Sequence, residues 1–392
     1  MLQRCCLTGL AVAATLAFTT ATARAELRYR LQELANYGAV ANAGPPGPVD
    51  YFVPSAINNH GLVVGLRQQE VYDEIKDYIE TAYIYGGTRL EPLPGSDAFH
   101  ESHAAGINDR GQIIGGFRMR HTPGQTPFLY ANGHYLDLRV EGTEIENRTT
   151  GINASGQVVG DANGRAFFFD GTRSRYMDIP GALGSNAEAL NDHGAVVGNA
   201  YFNAPGGGYD FRAFVHDGQN VKFLPNPLRD FGTPEMVDIN NAGQMVANVV
   251  NGERRARRSL IYEADGRFTD LGNFSARWEE TVVESLNDRG WAVGHSRGDT
   301  CFDFSCNQAF LWRNGRMVSL NDLVLVSPDE QWHLSRATDI NERGQIVGSG
   351  WHGGSFSAYL LTPVPEPRSW ALLLAGLGLV GAVARRRPAR GR

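Results

Sequence analysis

One recurring phrase limits what this chain can fold into. It reads AINNHGLVVG at 56–65, GINDRGQIIG at 106–115, GINASGQVVG at 151–160 and ALNDHGAVVG at 189–198. It returns as DINNAGQMVA at 238–247, SLNDRGWAVG at 285–294 and DINERGQIVG at 339–348, seven copies spaced 38 to 54 residues apart. One position is always asparagine: Asn58, Asn108, Asn153, Asn191, Asn240, Asn287 and Asn341. A second phrase follows each copy, from TAYIYGGTRLEPL to QAFLWRNGRMVSL, but the seventh stops at SAYLLTP (357–363). A period of this length means one supersecondary unit stacked many times.

Each phrase reads as a hairpin. In the first, Asn-Asp-x-Gly separates two apolar runs, which suits a type I turn with a glycine bulge. In the second, Asn-Gly or Asp-Gly parts an aromatic strand from a shorter one. Third strands such as Ala309-Phe310-Leu311-Trp312 are apolar on both faces, as a sheet between two other sheets requires. Glycine density and the lack of a 3.6-residue period exclude a helical array. The predicted fold is all-β: a seven-bladed β-propeller of four-stranded antiparallel blades over 26–363. Residues 27–34, LRYRLQEL, are read as a lone strand that completes the last blade. Two separate β-domains are the fallback.

Both ends carry addresses. Residues 1–25 combine Arg4, an apolar stretch and Ala23-Arg24-Ala25, which makes a signal peptide cut after Ala25. Residues 364–392 hold Pro365, Glu366 and Pro367, an apolar run at 370–384 expected as a short transmembrane helix, and an arginine-rich end. As a helix that run spans roughly 22 Å, short of the ~30 Å hydrocarbon core, but the arginines can snorkel to the interface. Positive charge there places the end in the cytoplasm and the repeats outside the inner membrane. Pro365-Glu366-Pro367, the apolar helix and Arg385, Arg386 and Arg387 in this order resemble the PEP-CTERM sorting signal of Gram-negative bacteria. An ordinary tail anchor is the alternative. The resemblance implies an exosortase-like membrane protease as partner, and an association with exopolysaccharide and biofilm. It implies a precursor anchored in the inner membrane and a mature domain that is periplasmic, at the cell surface or extracellular.

The repeats also resemble the HAF repeat of bacterial extracellular proteins, which implies an exported protein and brings no catalytic residues. Ala247 departs from the usual glycine, so a distorted fifth blade is expected. No catalytic motif, cofactor site or zinc spacing is evident. Asp109, Asp192 and Asp288 could ligate calcium or only shape turns, and His100 and His103 are a weak metal pair. Gly206-Gly207-Gly208 reads as linker in a long loop. Asp73, Glu74, Asp77 and Glu80 lie in an acidic insertion expected as a short helix or loop. Cys301 and Cys306 form either a small disulfide or two free thiols.

A net charge of −6 argues against nucleic acid. Locally, Arg254, Arg255, Arg257 and Arg258 form a basic run, expected as a loop, that could dock acidic extracellular polysaccharide. The expected function is a non-enzymatic scaffold or binding module. The alternatives are a propeller glycan hydrolase or lyase, and a structural surface-layer component.

Overall fold

The computed structural model of the chain describes residues 27–36, 50–73, 75–120, 122, 124–143, 147–251, 256–274, 278–298 and 307–365. The signal peptide 1–25, Arg254, Arg255, Cys301, Cys306, Glu366, Pro367, the run 370–384 and Arg385 to Arg387 lie outside them. Among the described residues no helix is long and apolar enough to cross a membrane.

The repeats fold into four-stranded antiparallel sheets. Repeat 4 shows the pattern: Gly184–Leu190, Val196–Asn203, Tyr209–His216 and Val221–Phe223 pair in chain order. Five sheets have four strands, and a sixth has eight. The larger sheet is repeats 5 and 6, joined where Arg257 pairs in parallel with Glu280. In repeat 7 the outer place is taken from the other end of the chain. Tyr29–Asn36 lies antiparallel to Ser355–Pro363, with Tyr29 opposite Pro363. Glu33 on that strand accepts a hydrogen bond from the Ser357 hydroxyl at 2.6 Å.

The turn after each first strand is built alike. The Asn191 side-chain oxygen accepts the backbone N–H groups of His193 and Ala195, at 3.1 and 3.0 Å. Gly194 then adopts φ +79°, and the six equivalent glycines also lie between +70° and +82°, where a side chain is strained.

The glycine that closes each phrase has a different role. A Cβ at Gly198 would sit 2.0 Å from the Asn186 carbonyl oxygen and 2.9 Å from the Phe214 ring. Gly198 is paired with Phe214, Gly115 with Phe128, and Gly294 with Phe310. In repeat 5 both partners change together, so that Ala247 faces Leu260. That repeat keeps the usual register with its shift between Met236 and Asp238. The smaller leucine removes the ring contact, though not the closer contact with the backbone carbonyl.

The core is a series of layers between neighbouring sheets. Val197, Ala213 and Leu224 of repeat 4 pack on Met236, Ile239, Met245 and Leu260 of repeat 5. Phe52, Ile57 and Val63 of repeat 1 pack on Val347, Ala358 and Leu360 of repeat 7. Each large side chain buried this way contributes about 1.5–3 kcal/mol.

Three local expectations are corrected. The acidic insertion is neither helix nor loop: Val63–Asp73 and Ile75–Tyr85 form one long hairpin, in which Val71 pairs with Asp77. The ladder simply continues outward, since β-branched and aromatic residues keep extending it. Arg257 and Arg258 lie in the strand Ala256–Tyr262 instead of a loop. Gly206-Gly207-Gly208 belong to the short connection between Val196–Asn203 and Tyr209–His216, not to a long loop.

Candidate functional site: an asparagine ring on one face and a groove on the other

At the end of the first strands the seven asparagines form a closed cycle. Each side-chain Nδ2 donates to the backbone carbonyl of the next asparagine, from Asn58 to Asn108 and on to Asn341, which donates back to Asn58. The distances run from 2.9 to 3.2 Å.

A second, outer set uses the following residue. The backbone N–H of Asn59 donates to Asp109, that of Ala154 to Asp192, that of Asn241 to Asp288 and that of Glu342 to Asn59, at 2.7 to 2.8 Å. Ala154 has no side-chain oxygen to offer in turn. The cavity of about 200 Å³ inside this face is lined by these groups. Asp109, Asp192 and Asp288 thus spend their oxygens on neighbouring turns. Among the described residues no group of three or more His, Cys, Asp or Glu is arranged to hold a metal. His103 meets the Gln125 amide at 3.1 Å, and His100 lies 3.7 Å from Glu101. Burial holds the His103 imidazole below its ordinary pKa.

Each first strand also carries a bulge three residues before its asparagine. The register skips Ser55, Ala105, Thr150, Glu188, Val237, Glu284 and Thr338, and all seven are partly exposed. A bulge re-aims the side chain that it carries, and two of the seven are glutamates. Glu284 lies 3.2 Å from His295 and accepts from Arg336 Nε at 2.9 Å. Burial works against ionisation there, yet the His295 hydrogen bond and the Arg336 guanidinium bring the Glu284 pKa below its ordinary value.

Glu188 lines the larger site, which runs from this bulge to Tyr201 at the far end of the strands. A cavity of about 790 Å³ is lined by Arg148, Asp161, Asn186, Glu188, Asn199, Tyr201, Phe211 and Glu235, among others. Arg148 joins two carboxylates, with Nε 2.6 Å from Asp161 and Nη2 3.1 Å from Glu188. The Asn186 amide also donates to Glu188. Burial pushes the Glu188 carboxyl up to about 7; Arg148 opposes this, and Asp161 and Glu235 add to it. At the rim, Tyr209 and Phe211 are 63% and 51% exposed. Their rings meet Tyr201 at centroid distances of 5.4 and 5.9 Å.

This cavity continues along the face. A second one, about 360 Å³, shares Arg148 and Asp161 and adds Glu101, Arg118, Gln125 and Asn147. A third, about 380 Å³, shares Arg118 and ends at His100, Met119, Arg120 and Thr122. Together they make a groove from repeat 5 to repeat 2. Asn147 in its wall is 1% exposed, and neither atom of its amide has a hydrogen-bond partner among the described residues.

Of the basic run, Arg257 is 3.7 Å from Glu280, while Arg258 pairs with Asp270 and stacks over Phe231. Arg257 and Arg258 are not among the residues that line the groove. The groove residues escaped sequence reading because they come from different repeats. The signal available was the break in repeat regularity, where glutamate replaces Ser, Ala, Thr or Val at the bulge.

A half-buried acidic link joins repeats 5, 6 and 7. The Ser285 hydroxyl lies 2.7 Å from Asp339 and 3.3 Å from Asp238. Asp238 accepts the Leu286 N–H at 2.9 Å, and Asp339 the Ile57 N–H at 2.8 Å. Burial pushes Asp238 up to about 7, with Asp339 adding to the shift, and raises Asp339 as well.

The PEP-CTERM protein-sorting motif is found at residues 363–387. It implies exosortase-dependent export and membrane anchoring of the precursor. Residues 177–355 match a family described as protein of unknown function, DUF3466. Among curated proteins no similar sequence is found. The β-propeller domain of the Trilobed protease from Pyrococcus furiosus is similar in structure, with a TM-score of 0.54 at 10% identity. The match covers 81% of this chain and 98% of that one, which is described as having an open velcro topology. That likeness shows a β-propeller fold. Trypanosoma rangeli sialidase matches with a TM-score of 0.37 at 14% identity, over 86% of this chain and 57% of its own. A prolyl endopeptidase matches at 0.49 and 8%, over 86% of this chain and 50% of its own.

Proposed function

We propose that the chain is an exported binding module at the cell surface, a seven-bladed propeller of HAF type that holds extracellular polysaccharide in the groove. The groove carries this reading: three cavities share their walls in a row, as a site for an extended polymer would. Exposed aromatic faces beside Asn, Arg and carboxylate groups suit sugar rings, which offer apolar faces and a rim of hydroxyls. The sorting motif supports a site of action outside the inner membrane, in the biofilm matrix. The acidic-glycan role of Arg257 and Arg258 loses support, because both arginines are already paired with carboxylates.

The test uses the full chain purified in mild detergent and exopolysaccharide from the producing organism. Co-sedimentation at constant polymer size is expected. Phe211→Ala, an exposed change, should weaken binding about tenfold, as loss of an aromatic anchor does. Unchanged affinity would move the site elsewhere.

A second reading, a glycan hydrolase or lyase, has one specific observation behind it. Burial pushes the Glu188 carboxyl up to about 7, and it shares its cavity with Asp161 and Glu235, an arrangement of the kind that general acid catalysis uses. A fall in polymer size on incubation, abolished by Glu188→Gln, would replace the module reading with this one.

A further inference from the structure

We infer that the repeat 4–5 end of the groove binds a sugar carrying a free amine, so that the ligand is a cationic, de-N-acetylated glycan and not an acidic one. This rests on the reading of the groove as a polysaccharide site and names the class of sugar.

The charges at that end carry the inference. Three carboxylates, Asp161, Glu188 and Glu235, line the cavity with one guanidinium, Arg148. Arg148 is already committed to Asp161 and Glu188. Glu235 is exposed and makes no ion pair among the described residues. Arg118 in the next cavity is paired with Glu101. The end of the groove near Tyr201 and Phe211 therefore carries net negative charge, and Arg120 is the cation at the far end. A uronate or sulfated sugar would meet like charge there. An ammonium would find Asp161 and Glu235 as hydrogen-bond acceptors, next to aromatic faces that attract cations.

A second observation points to a sugar independently of charge. Phe211, which lines this cavity, is 51% exposed, and its ring meets Tyr201. Such ring faces take the apolar side of a sugar and attract an ammonium beside it.

The proton on Glu188 gives the site a further property. Arg148 and Asp161 from repeat 3 and Glu235 from repeat 5 are the charged groups that act on it. An incoming ammonium stabilises the ionised carboxylate, so binding releases a proton.

The test is calorimetric titration of the full chain in mild detergent at pH 6 and low salt. The ligands are three oligosaccharides of equal length: a glucosamine oligomer, its fully N-acetylated counterpart and an oligouronate. The glucosamine oligomer should bind at least about tenfold tighter than the acetylated one, a preference that Glu235→Gln cuts by about tenfold and that salt weakens. Heat measured in buffers of different ionisation enthalpy should show proton release. If the acetylated oligomer or the oligouronate binds as tightly as the amine, and Phe211→Ala weakens it, the amine inference fails while the groove reading stands. If none of the three binds, both fail.

Discussion

At the residue scale, the constant asparagine has two tasks, and only one was legible in the sequence. Its oxygen holds the local turn, which Asn-Asp-x-Gly announces by itself. Its amide reaches the next repeat, 38 to 54 residues away, where no local pattern can point. A trace of the second task was nevertheless on view. Aspartate would serve the turn as well, yet the position is asparagine in all seven copies, whereas the next residue varies among Asn, Asp, Ala and Glu. Asn191→Asp keeps the acceptor, loses the donor and sets a buried carboxylate against the Asn240 carbonyl. A loss of about 3 kcal/mol is expected, read as a lower urea midpoint at unchanged slope. Asp192→Ala, at the exposed outer set, should cost under about 1 kcal/mol. Equal effects of the two would show that the amide cycle does not hold the repeats together.

At the scale of the element, the hairpins were the most legible part, because their turns and alternating apolar runs are local. The long hairpin of repeat 1 was not. Val71, Ile75, Tyr78 and Ile79 fall at near-helical spacing, and only the ladder established at Val63 and Tyr85 decides for strands. The groove was not legible either, since its walls need Arg148, Glu188 and Glu235 from three repeats brought side by side. The pairing of closing glycine with aromatic ring belongs to this scale too. Gly198→Ala alone should cost about 2 kcal/mol through overpacking. Phe214→Leu alone should cost a similar amount through lost contacts. Repeat 5 already carries the combination as Ala247 and Leu260. The double variant should therefore lose about 1 kcal/mol less than the sum, a coupling that a double-mutant cycle in urea measures. Strict additivity would mean that the Asn186 carbonyl, and not the ring, excludes the methyl group.

At the scale of the whole molecule, the repeats are tied by polar groups that titrate together. Asp238 and Glu188 are each pushed up to about 7, and Asp339 is raised as well. These three carboxyls hold protons in the folded chain that the unfolded chain releases above about pH 4. The folded state thus binds more protons through this window, and stability falls as pH rises through 7. Glu284 has the opposite sign, because its pKa is lowered. Its contribution is present above about pH 4.5 and is lost only below that, outside the window in which the other three act. The urea midpoint should accordingly be higher at pH 5 than at pH 7.5, by on the order of 5 kcal/mol in stability. Asp238→Asn keeps the size and cannot ionise but gives up one of the two acceptors for backbone N–H groups, to Ile239 or to Leu286, so it should flatten the profile at some cost in stability at pH 5. The link at Ser285 joins repeats 5, 6 and 7, where the strand near the N-terminus also completes the last sheet, so an ionised Asp238 loosens the array close to its closure. A midpoint that rises from pH 5 to pH 7.5, or a steep profile that Asp238→Asn leaves unchanged, would show that these acids are ionised in the fold and that their burial is offset by their backbone donors.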